Sequence, residues 1–228
     1  MKRFTLLLLF LGITVGTQAQ QTPVPTTGTV SVPPLAGDDT MLIVHGRTDE
    51  TFENSPYIPS EGWQAGYFVQ QNGKRFEMAE MRYDTYLRRI EYREGSKLFY
   101  PKYPVVSFGF ANGDVFMNQF PAFDKHDAST FYQVLYGGNT RLLRNIESTI
   151  SDVTPYNSAT KIWHFNAYTT YYLVDQNGML GKSKKLDDSL LKAFGNKQAT
   201  IKAYIKTNNF KWADRDALKQ LMQYYDTL

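Results

Sequence analysis

The chain has no cysteine among its 228 residues. Disulfide bonds, thiol catalysis and thiolate metal sites are therefore excluded. The chain also lacks the cysteine that a lipoprotein carries at its processed N-terminus, so we expect that it is not a lipoprotein. Small exported domains often depend on disulfides, but about 190 residues are enough to bury a core that needs none.

Histidine is scarce, and the three residues His45, His126 and His164 are far apart in the sequence. No two of them are spaced as neighbours on a helix or a strand, so we predict no metal site. Residues 38–39 and 124–127 carry carboxylates, but they lack the alternating oxygen ligands and the bend glycine of a calcium loop. We therefore expect neither a metal nor a cofactor.

The motifs of several large enzyme classes are missing too. The chain has no Gly-x-Ser-x-Gly elbow, no phosphate-binding Gly-x-x-x-x-Gly-Lys loop and no Gly-x-Gly-x-x-Gly turn. The sequence therefore identifies no catalytic residue. Glu77, Glu80, Asp84 and Glu91 leave one enzymatic alternative open, because a glycosidase places two carboxylates about 5 to 10 Å apart.

The N-terminus has the three parts of a secretory signal peptide, which we assign to residues 1–19. Lys2 and Arg3 are followed by an apolar run over residues 4–15, and then by small and polar residues. Thr17 and Ala19 suit the −3 and −1 positions of a peptidase site. The apolar run is too short to span a membrane, which needs about 20 residues.

We expect cleavage after Ala19 or Gln20 and delivery to the periplasm or the cell exterior. No later apolar run has transmembrane length, so we expect no transmembrane segment in the mature protein. Loss of Lys2 and Arg3 leaves 23 basic and 22 acidic residues, a net charge near +1. The remaining basic clusters, at residues 88–89 and 182–185, are short, so we predict no nucleic-acid partner.

Residues 20–40 contain four prolines together with threonine, glycine and valine, but no aromatic residue. We interpret them as a disordered linker, because proline removes hydrogen-bond donors and fixes φ. The rest of the chain, residues 41–228, is expected to form a single domain. Its pattern is β-rich up to residue 184 and helical from residue 186 onward.

The β-rich part reads as a series of hairpins. Trp63, Ala65, Tyr67 and Val69 alternate with Gln64, Gly66 and Gln70, as in a half-buried strand, and Asn-Gly follows at residues 72–73. The apolar residues change parity after the turn, which indicates a β-bulge near residues 79–80. Further turn signals occur at residues 94–95, 112–113, 137–139 and 177–178.

The C-terminal part shows three short apolar stripes at helical spacing. We predict three helices, the first capped by Asp187 or Asp188 and the third by Asp214. Their apolar residues are Leu190, Leu191 and Phe194, then Ile201, Tyr204 and Ile205, then Leu218, Leu221, Met222 and Tyr225. The expected fold class is α+β: an antiparallel sheet or curved half-barrel built of hairpins, followed by three short C-terminal helices.

Three segments carry a resemblance. Residues 131–138 (FYQVLYGG), 202–208 (KAYIKTN) and 223–226 (QYYD) resemble a family of exported, functionally uncharacterised proteins common in Bacteroidota. The Ala-Gln-Gln at the end of the signal resembles signals of that group as well. The resemblance extends from residue 63 to the C-terminus and implies a cell-envelope protein. Its motifs are structural, so it carries over no catalytic residue.

Aromatic residues make up 15% of the chain, with 16 Tyr, 15 Phe and 3 Trp. They either fill the core of a cysteine-free domain or form an exposed face that binds a partner. Residues 132–136 and 168–172 carry apolar side chains on both strand parities, so both alternatives stay open there. We expect a non-enzymatic binding or interaction domain with a macromolecular envelope partner; the alternative is a periplasmic or extracellular hydrolase that acts on envelope glycan or peptide through sheet carboxylates.

Overall fold

The computed structural model describes residues 50–228, so the expected signal peptide (1–19), the linker (20–40) and residues 41–49 lie outside the described residues. The strands are β1 (Glu50–Glu53), β2 (Tyr57–Ile58), β3 (Gln64–Gln70), β4 (Arg75–Asp84), β5 (Arg89–Glu94), β6 (Lys97–Phe99), β7 (Val105–Phe110), β8 (Val115–Met117), β9 (Tyr132–Gly137), β10 (Arg141–Asp152), β11 (Lys161–Asp175) and β12 (Gly178–Ser183). A 3-10 segment (Asp188–Lys197) and helices α1 (Gln198–Thr207) and α2 (Arg215–Tyr225) follow.

The twelve strands form one open sheet in the order β1-β11-β10-β9-β8-β7-β3-β4-β5-β6, with β12 paired to β11 and β2 paired to β4. Every pairing is antiparallel except that of β1 with β11, which is parallel. The sheet is therefore mixed, whereas the sequence predicted an antiparallel one. The α+β class and the hairpin construction are confirmed. Within residues 50–228, no helix has the length and apolar character needed to cross a membrane.

The predicted turns connect the strands as expected. Gly73 has a φ of 81°, which glycine adopts without strain, and it closes the β3–β4 hairpin. The bulge predicted at residues 79–80 is present, because Gln64 faces Met81 while Gly66 faces Met78. Between these two pairs β4 advances by three residues and β3 by two, which shifts the apolar residues of β4 to the opposite parity.

One side of the sheet carries a row of phenylalanines in direct register. Phe76, Phe68, Phe108 and Phe116 face one another across β4, β3, β7 and β8. The rings of Phe68 and Phe76 lie 5.0 Å apart, and those of Phe108 and Phe116 lie 4.6 Å apart. All four are nearly inaccessible to solvent, and together they form the centre of the first hydrophobic cluster.

The sheet is curved rather than flat. The turn between β4 and β5 contacts β10, where the Ser148 N–H donates to the Thr85 carbonyl (3.3 Å) and the two hydroxyl oxygens lie 2.6 Å apart. In the strand order, β4 and β10 are five positions apart, which is about 24 Å in a flat sheet. The curvature brings the β4–β5 turn against β10.

The first predicted helix is wrong in type: residues 188–197 form a 3-10 segment, so there are two α-helices instead of three. Gly195 has non-helical angles (φ 55°, ψ −128°) and interrupts the segment after two turns. The segment is also pressed against β12, because a Cβ on Gly181 would come within 2.7 Å of Ala193. The Asp187 cap is confirmed, since its carboxylate accepts from the Ser189 N–H at 2.8 Å.

Helices α1 and α2 pack on the other end of the sheet, against β9, β10 and β11, in a second hydrophobic cluster. The chain end is anchored by Asp226, whose carboxylate accepts from the Tyr136 hydroxyl (2.8 Å) and from the N–H groups of Asn139 (3.0 Å) and Thr140 (2.9 Å). Burial acts to raise the pKa of Asp226, but the hydrogen bonds from Thr140 and Tyr136 outweigh it and hold the pKa below its usual range.

Candidate functional site

The side of the sheet opposite the phenylalanine row combines arginine side chains with aromatic rings. Tyr67 faces Glu77 on β4 and Gly109 on β7, so it lies on the opposite side from its buried neighbour Phe68. We call this surface the arginine–aromatic face. Its members are Tyr57, Trp63, Tyr67, Arg75, Glu77, Glu80, Arg82, Arg89, Glu91, Arg93 and Tyr100.

Two guanidinium groups of this face lie against the ring of Trp63. Arg82 approaches the Trp63 centroid to 4.2 Å and Arg93 approaches it to 4.9 Å. Arg82 also stacks on Tyr57 at 3.5 Å. Such cation–π contacts contribute about 0.5–1 kcal/mol each at exposed sites and more where they are desolvated.

Two more stacked pairs extend the face on either side. Arg89 lies 4.3 Å from the centroid of Tyr100, and Arg75 lies 3.4 Å from that of Tyr67. The Tyr67 ring lies flat on the sheet because residue 109 is glycine: a Cβ there would come within 2.7 Å of the ring. The face is therefore a layer of rings and planar cations on the strands.

Glu91 is the buried anion of the face. It accepts from Arg82 Nε at 2.8 Å and from Arg89 Nε at 3.0 Å, and its side chain is only 1% exposed. One carboxylate thus fixes two arginines that belong to neighbouring strands. Burial raises the pKa of Tyr57, and the nearby Glu91 carboxylate raises it further.

Glu80 and Arg93 form a bidentate pair across β4 and β5. Arg93 donates through Nε (2.7 Å) and Nη2 (2.6 Å) to the two oxygens of Glu80. The hydrogen bonds from Arg93 hold the pKa of Glu80 below its usual range, and Glu80 in turn raises the pKa of Arg93. This pair fixes the plane of the guanidinium that lies against Trp63.

The other two acids proposed from the sequence are also engaged. Glu77 pairs with Arg75 at 2.6 Å. Asp84 accepts from the N–H groups of Tyr86 (2.9 Å) and Leu87 (2.8 Å), and it thereby holds the β4–β5 turn. Burial raises the pKa of Asp84. Each of the four sheet acids therefore has a partner, and none is presented to a substrate as a free acid–base group.

The histidines do not form a site in the part of the chain that the structure describes. His45 lies outside the described residues. His126 is a buried residue of the loop between β8 and β9, and His164 lies on β11 with Nδ1 3.3 Å from Glu53. Within residues 50–228, no three His, Cys, Asp or Glu side chains are grouped so that they could hold a metal ion.

The remaining charged candidates from the sequence have local partners. Residues 38–39 lie outside the described residues. Asp127 accepts from the N–H and hydroxyl of Ser129 (2.9 and 2.6 Å), as in a turn. Of the basic clusters, Arg88 pairs with Glu147 at 2.9 Å. Lys182 pairs with Asp124 at 2.8 Å.

Two Ser-x-x-Lys spacings occur, at residues 158–161 and 189–192, and neither forms a nucleophile–base pair. The Ser158 hydroxyl donates to the Thr160 carbonyl at 2.8 Å, while Lys161 lies 3.6 Å from Asp152. The Ser189 hydroxyl lies 2.5 Å from that of Ser183 and not beside a lysine. Both serines therefore act in local turn structure.

The aromatic runs named from the sequence are largely core. Tyr132 and Tyr172 are each 1% exposed and belong to a third cluster on β9, β10 and β11. Tyr136 packs with the C-terminal helices, and Tyr171 contacts the same helical cluster. These strands are thus buried on both sides over much of their length. Tyr168 is the exception, with 57% of its surface exposed.

A cleft of about 220 Å³ lies at the turn between α1 and α2. Its lining includes Tyr204, Asn209 and Phe210, and one carboxylate, Asp214. That carboxylate already caps α2 by accepting from the N–H groups of Asp216 and Ala217. The cleft therefore lacks the facing pair of carboxylates that a hydrolase of envelope glycan needs.

Of the arginines of the face, only Arg89 was noted from the sequence, as part of a short basic cluster, and Arg75, Arg82 and Arg93 were missed. Charged residues occupy every second position on both strands: Glu80, Arg82 and Asp84 on β4, and Arg89, Glu91 and Arg93 on β5. This spacing on two consecutive strands could have predicted a charged side of the sheet, since opposite charges facing each other stabilise antiparallel pairs.

Comparisons of the chain with protein-family models, with curated proteins and with solved structures found no match.

Proposed function

We propose that the chain is an exported protein of the cell envelope whose β-rich domain binds a protein partner through the arginine–aromatic face. The observation that carries the proposal is the placement of Arg82 and Arg93 against the ring of Trp63, at 4.2 and 4.9 Å, on the side of the sheet away from the core. The hydrolase alternative has no comparable support, because the sheet acids Glu80 and Glu91 are engaged by these same arginines.

The composition of the face favours a protein partner. Tryptophan, tyrosine and arginine are the residue types that most often dominate the binding free energy of protein interfaces. Trp63 and Tyr57 are partly accessible, and Arg93 keeps 38% of its side-chain surface exposed. The face thus offers ring edges and guanidinium groups to a partner while the sheet holds them in place.

Preorganisation is the second support. The bidentate pair with Glu80 fixes Arg93, and the buried Glu91 fixes Arg82 and Arg89. A side chain that is already immobile loses less conformational entropy on binding, so more of its contact energy contributes to affinity. A freely moving arginine would lose that conformational entropy when it bound the partner, and its contribution to affinity would be smaller.

The charge balance of the face argues against nucleic acid. Its four arginines are matched by three glutamates, all within salt-bridge distance of an arginine. A phosphate backbone is attracted by a large excess of positive charge, and these residues carry an excess of only one. A polar protein surface with both donors and acceptors is the partner that complements it.

The proposal is tested by site-specific cross-linking in intact cells. A photoreactive phenylalanine analogue is placed at Glu77, which is 57% exposed at the edge of the face, and at Lys219, which is exposed on α2, as the matched control. We expect one predominant protein adduct from position 77 and none of that adduct from position 219. The adduct is identified by mass spectrometry and the partner is purified.

Affinity for the purified partner then decides whether the face carries the binding. Trp63→Ala and Arg93→Ala should each raise Kd at least 10-fold, as interface anchors do, while Lys219→Ala should leave Kd unchanged. Circular dichroism melts establish that the variants are folded. If Trp63→Ala is unstable, the affinity of Arg93→Ala alone tests the proposal. Equal cross-linking from both positions, or an unchanged Kd in folded Trp63→Ala and Arg93→Ala, would contradict the proposal.

The export part of the proposal has its own measurement. Loss of a signal that ends at Ala19 or Gln20 should lower the intact mass of the recovered protein by about 2 kDa. Mass spectrometry of periplasmic and culture fractions checks this. Recovery of the protein only as the full chain of 228 residues would show that residues 1–19 are not a cleaved signal.

A further inference from the structure

The loop between β8 and β9, residues 118–131, packs on a buried patch of β9, β10 and β11. Phe123 contacts the rings of Tyr132 and Tyr172 at 5.3 and 5.2 Å. The Gln119 N–H donates to the Ala128 carbonyl at 2.7 Å, so the ends of the loop lie close together. This is the geometry of a compact surface loop that packs through its own side chains.

Three polar contacts tie the loop to three strands. Asp124 accepts from the hydroxyl of Tyr172 on β11 (3.1 Å) and from Lys182 on β12 (2.8 Å). Lys125 donates to Glu147 on β10 at 2.6 Å. The hydrogen bond from Lys182 holds the pKa of Asp124 below its usual range, so Asp124 is not the group that takes up a proton under mildly acidic conditions.

His126 belongs to the loop, and it is only 5% exposed. Its ring meets Tyr132 and Tyr172 edge to face, at 5.8 and 6.0 Å. Its Nδ1 is buried 3.5 Å from the Glu147 carboxylate, and among the described residues it makes no hydrogen bond. A buried polar nitrogen without a partner is rare in folded proteins and costs stability.

The charges around His126 do not favour the protonated state of its ring, because the nearest carboxylate already has two cationic partners. Glu147, the nearest anion, already pairs with Arg88 at 2.9 Å and with Lys125 at 2.6 Å. Burial lowers the pKa of His126, and the attraction of Glu147 offsets this only in part. The charged and titratable groups around the imidazole are Tyr83 on β4, Arg88 in the β4–β5 turn, Tyr132 on β9, Glu147 on β10, Tyr172 on β11, Lys182 on β12, and Asp124, Lys125 and Asp127 in the loop.

We propose that the β8–β9 loop is an acid-released strap, which leaves the sheet when His126 takes up a proton while the rest of the domain stays folded. In the closed state the imidazole is neutral. In the open state it is hydrated and binds a proton with an ordinary pKa of about 6.5. As pH falls through that value, only the open state gains the proton, so the open population rises by up to about 10-fold per pH unit.

Hydrogen exchange of the whole protein at pH 7.5 and pH 5.0, corrected for intrinsic rates, tests this strap. Protection of residues 118–131 should fall by up to about 30-fold between the two conditions, as the linkage of one buried histidine requires. Protection in β3 and β4 should not change in parallel. His126→Phe, which keeps a ring but does not titrate, should abolish the pH dependence, and His164→Gln should retain it.

An NMR titration of the His126 imidazole in the wild-type protein provides the second measurement, so the test does not depend on the stability of His126→Phe. The closed state should titrate below pH 6.5. A pKa at or above that value with unchanged protection of the loop would overturn the proposal. Equal loss of protection in β3 and β4 would also overturn it, since acid would then unfold the sheet as a whole.

Discussion

Replacing Leu221 with alanine should lower the free energy of unfolding by about 2–5 kcal/mol, the usual range for a fully buried leucine. Leu221 has no exposed surface and lies in the cluster that joins α2 to the sheet. Its neighbours Leu218 and Met222 are buried with it, so the surrounding side chains have little freedom to collapse into the space left behind.

Lys219 is the matched control because it lies on the same helix with its side chain in solvent. Lys219→Ala should change the free energy of unfolding by less than about 0.5 kcal/mol. Urea denaturation followed by circular dichroism measures both variants at the same pH. A loss for Leu221→Ala no larger than that for Lys219→Ala would mean that α2 does not depend on its apolar stripe for docking.

The hairpins were predictable because their signals are local. Asn72 and Gly73 favour a two-residue turn wherever they occur between alternating residues, and the parity change at residues 79–80 follows from the spacing of apolar side chains alone. The structure has the hairpin and the bulge. The turn is one residue longer than expected, because the Gln70 N–H donates to the Lys74 carbonyl at 2.9 Å and residues 71–73 form the loop. The stripe of α2 and its cap Asp214 were predictable for the same reason.

Contacts between distant segments were not predictable. The parallel pairing of β1 with β11 joins residues more than 100 positions apart, and Glu50–Glu53 has no distinctive strand pattern. The same applies to the contact of Thr85 with Ser148, which requires a curved sheet. The 3-10 segment has an α-like apolar spacing, and its geometry is decided by Gly195 and by the close approach of β12.

The candidate face illustrates how much depends on register. The sequence offered Glu80 and Glu91 as acids and Trp63 and Tyr67 as alternating aromatics, but it did not show which side of the sheet they share. Register alone places Arg82 opposite Glu91. Strand β2, paired with β4, then brings Tyr57 onto Arg82, and the loop after β6 brings Tyr100 onto Arg89. Glu80 and Glu91, which look like free acids in the sequence, are therefore ion-paired and orient the arginines.

Glu91→Gln should lower the free energy of unfolding by about 3 kcal/mol, the lower end of the range for removing one partner of a buried ion pair. The change keeps the size of the side chain but removes the carboxylate that Arg82 and Arg89 share. The two cations then repel each other in a poorly hydrated place. Because Arg89 keeps 31% of its side-chain surface in solvent, it can still be hydrated in part, which limits the loss.

Glu77→Gln is the matched control, since Glu77 lies on the same face in an ion pair with Arg75 whose side chains are about half exposed. An exposed pair contributes about 0–1 kcal/mol, so this variant should be nearly as stable as the wild type in urea denaturation. If both variants lose the same small amount, Glu91 does not organise the face. If only Glu91→Gln is destabilised, and it also weakens binding of the cross-linked partner, the buried carboxylate is what holds the arginines of the face in their binding geometry.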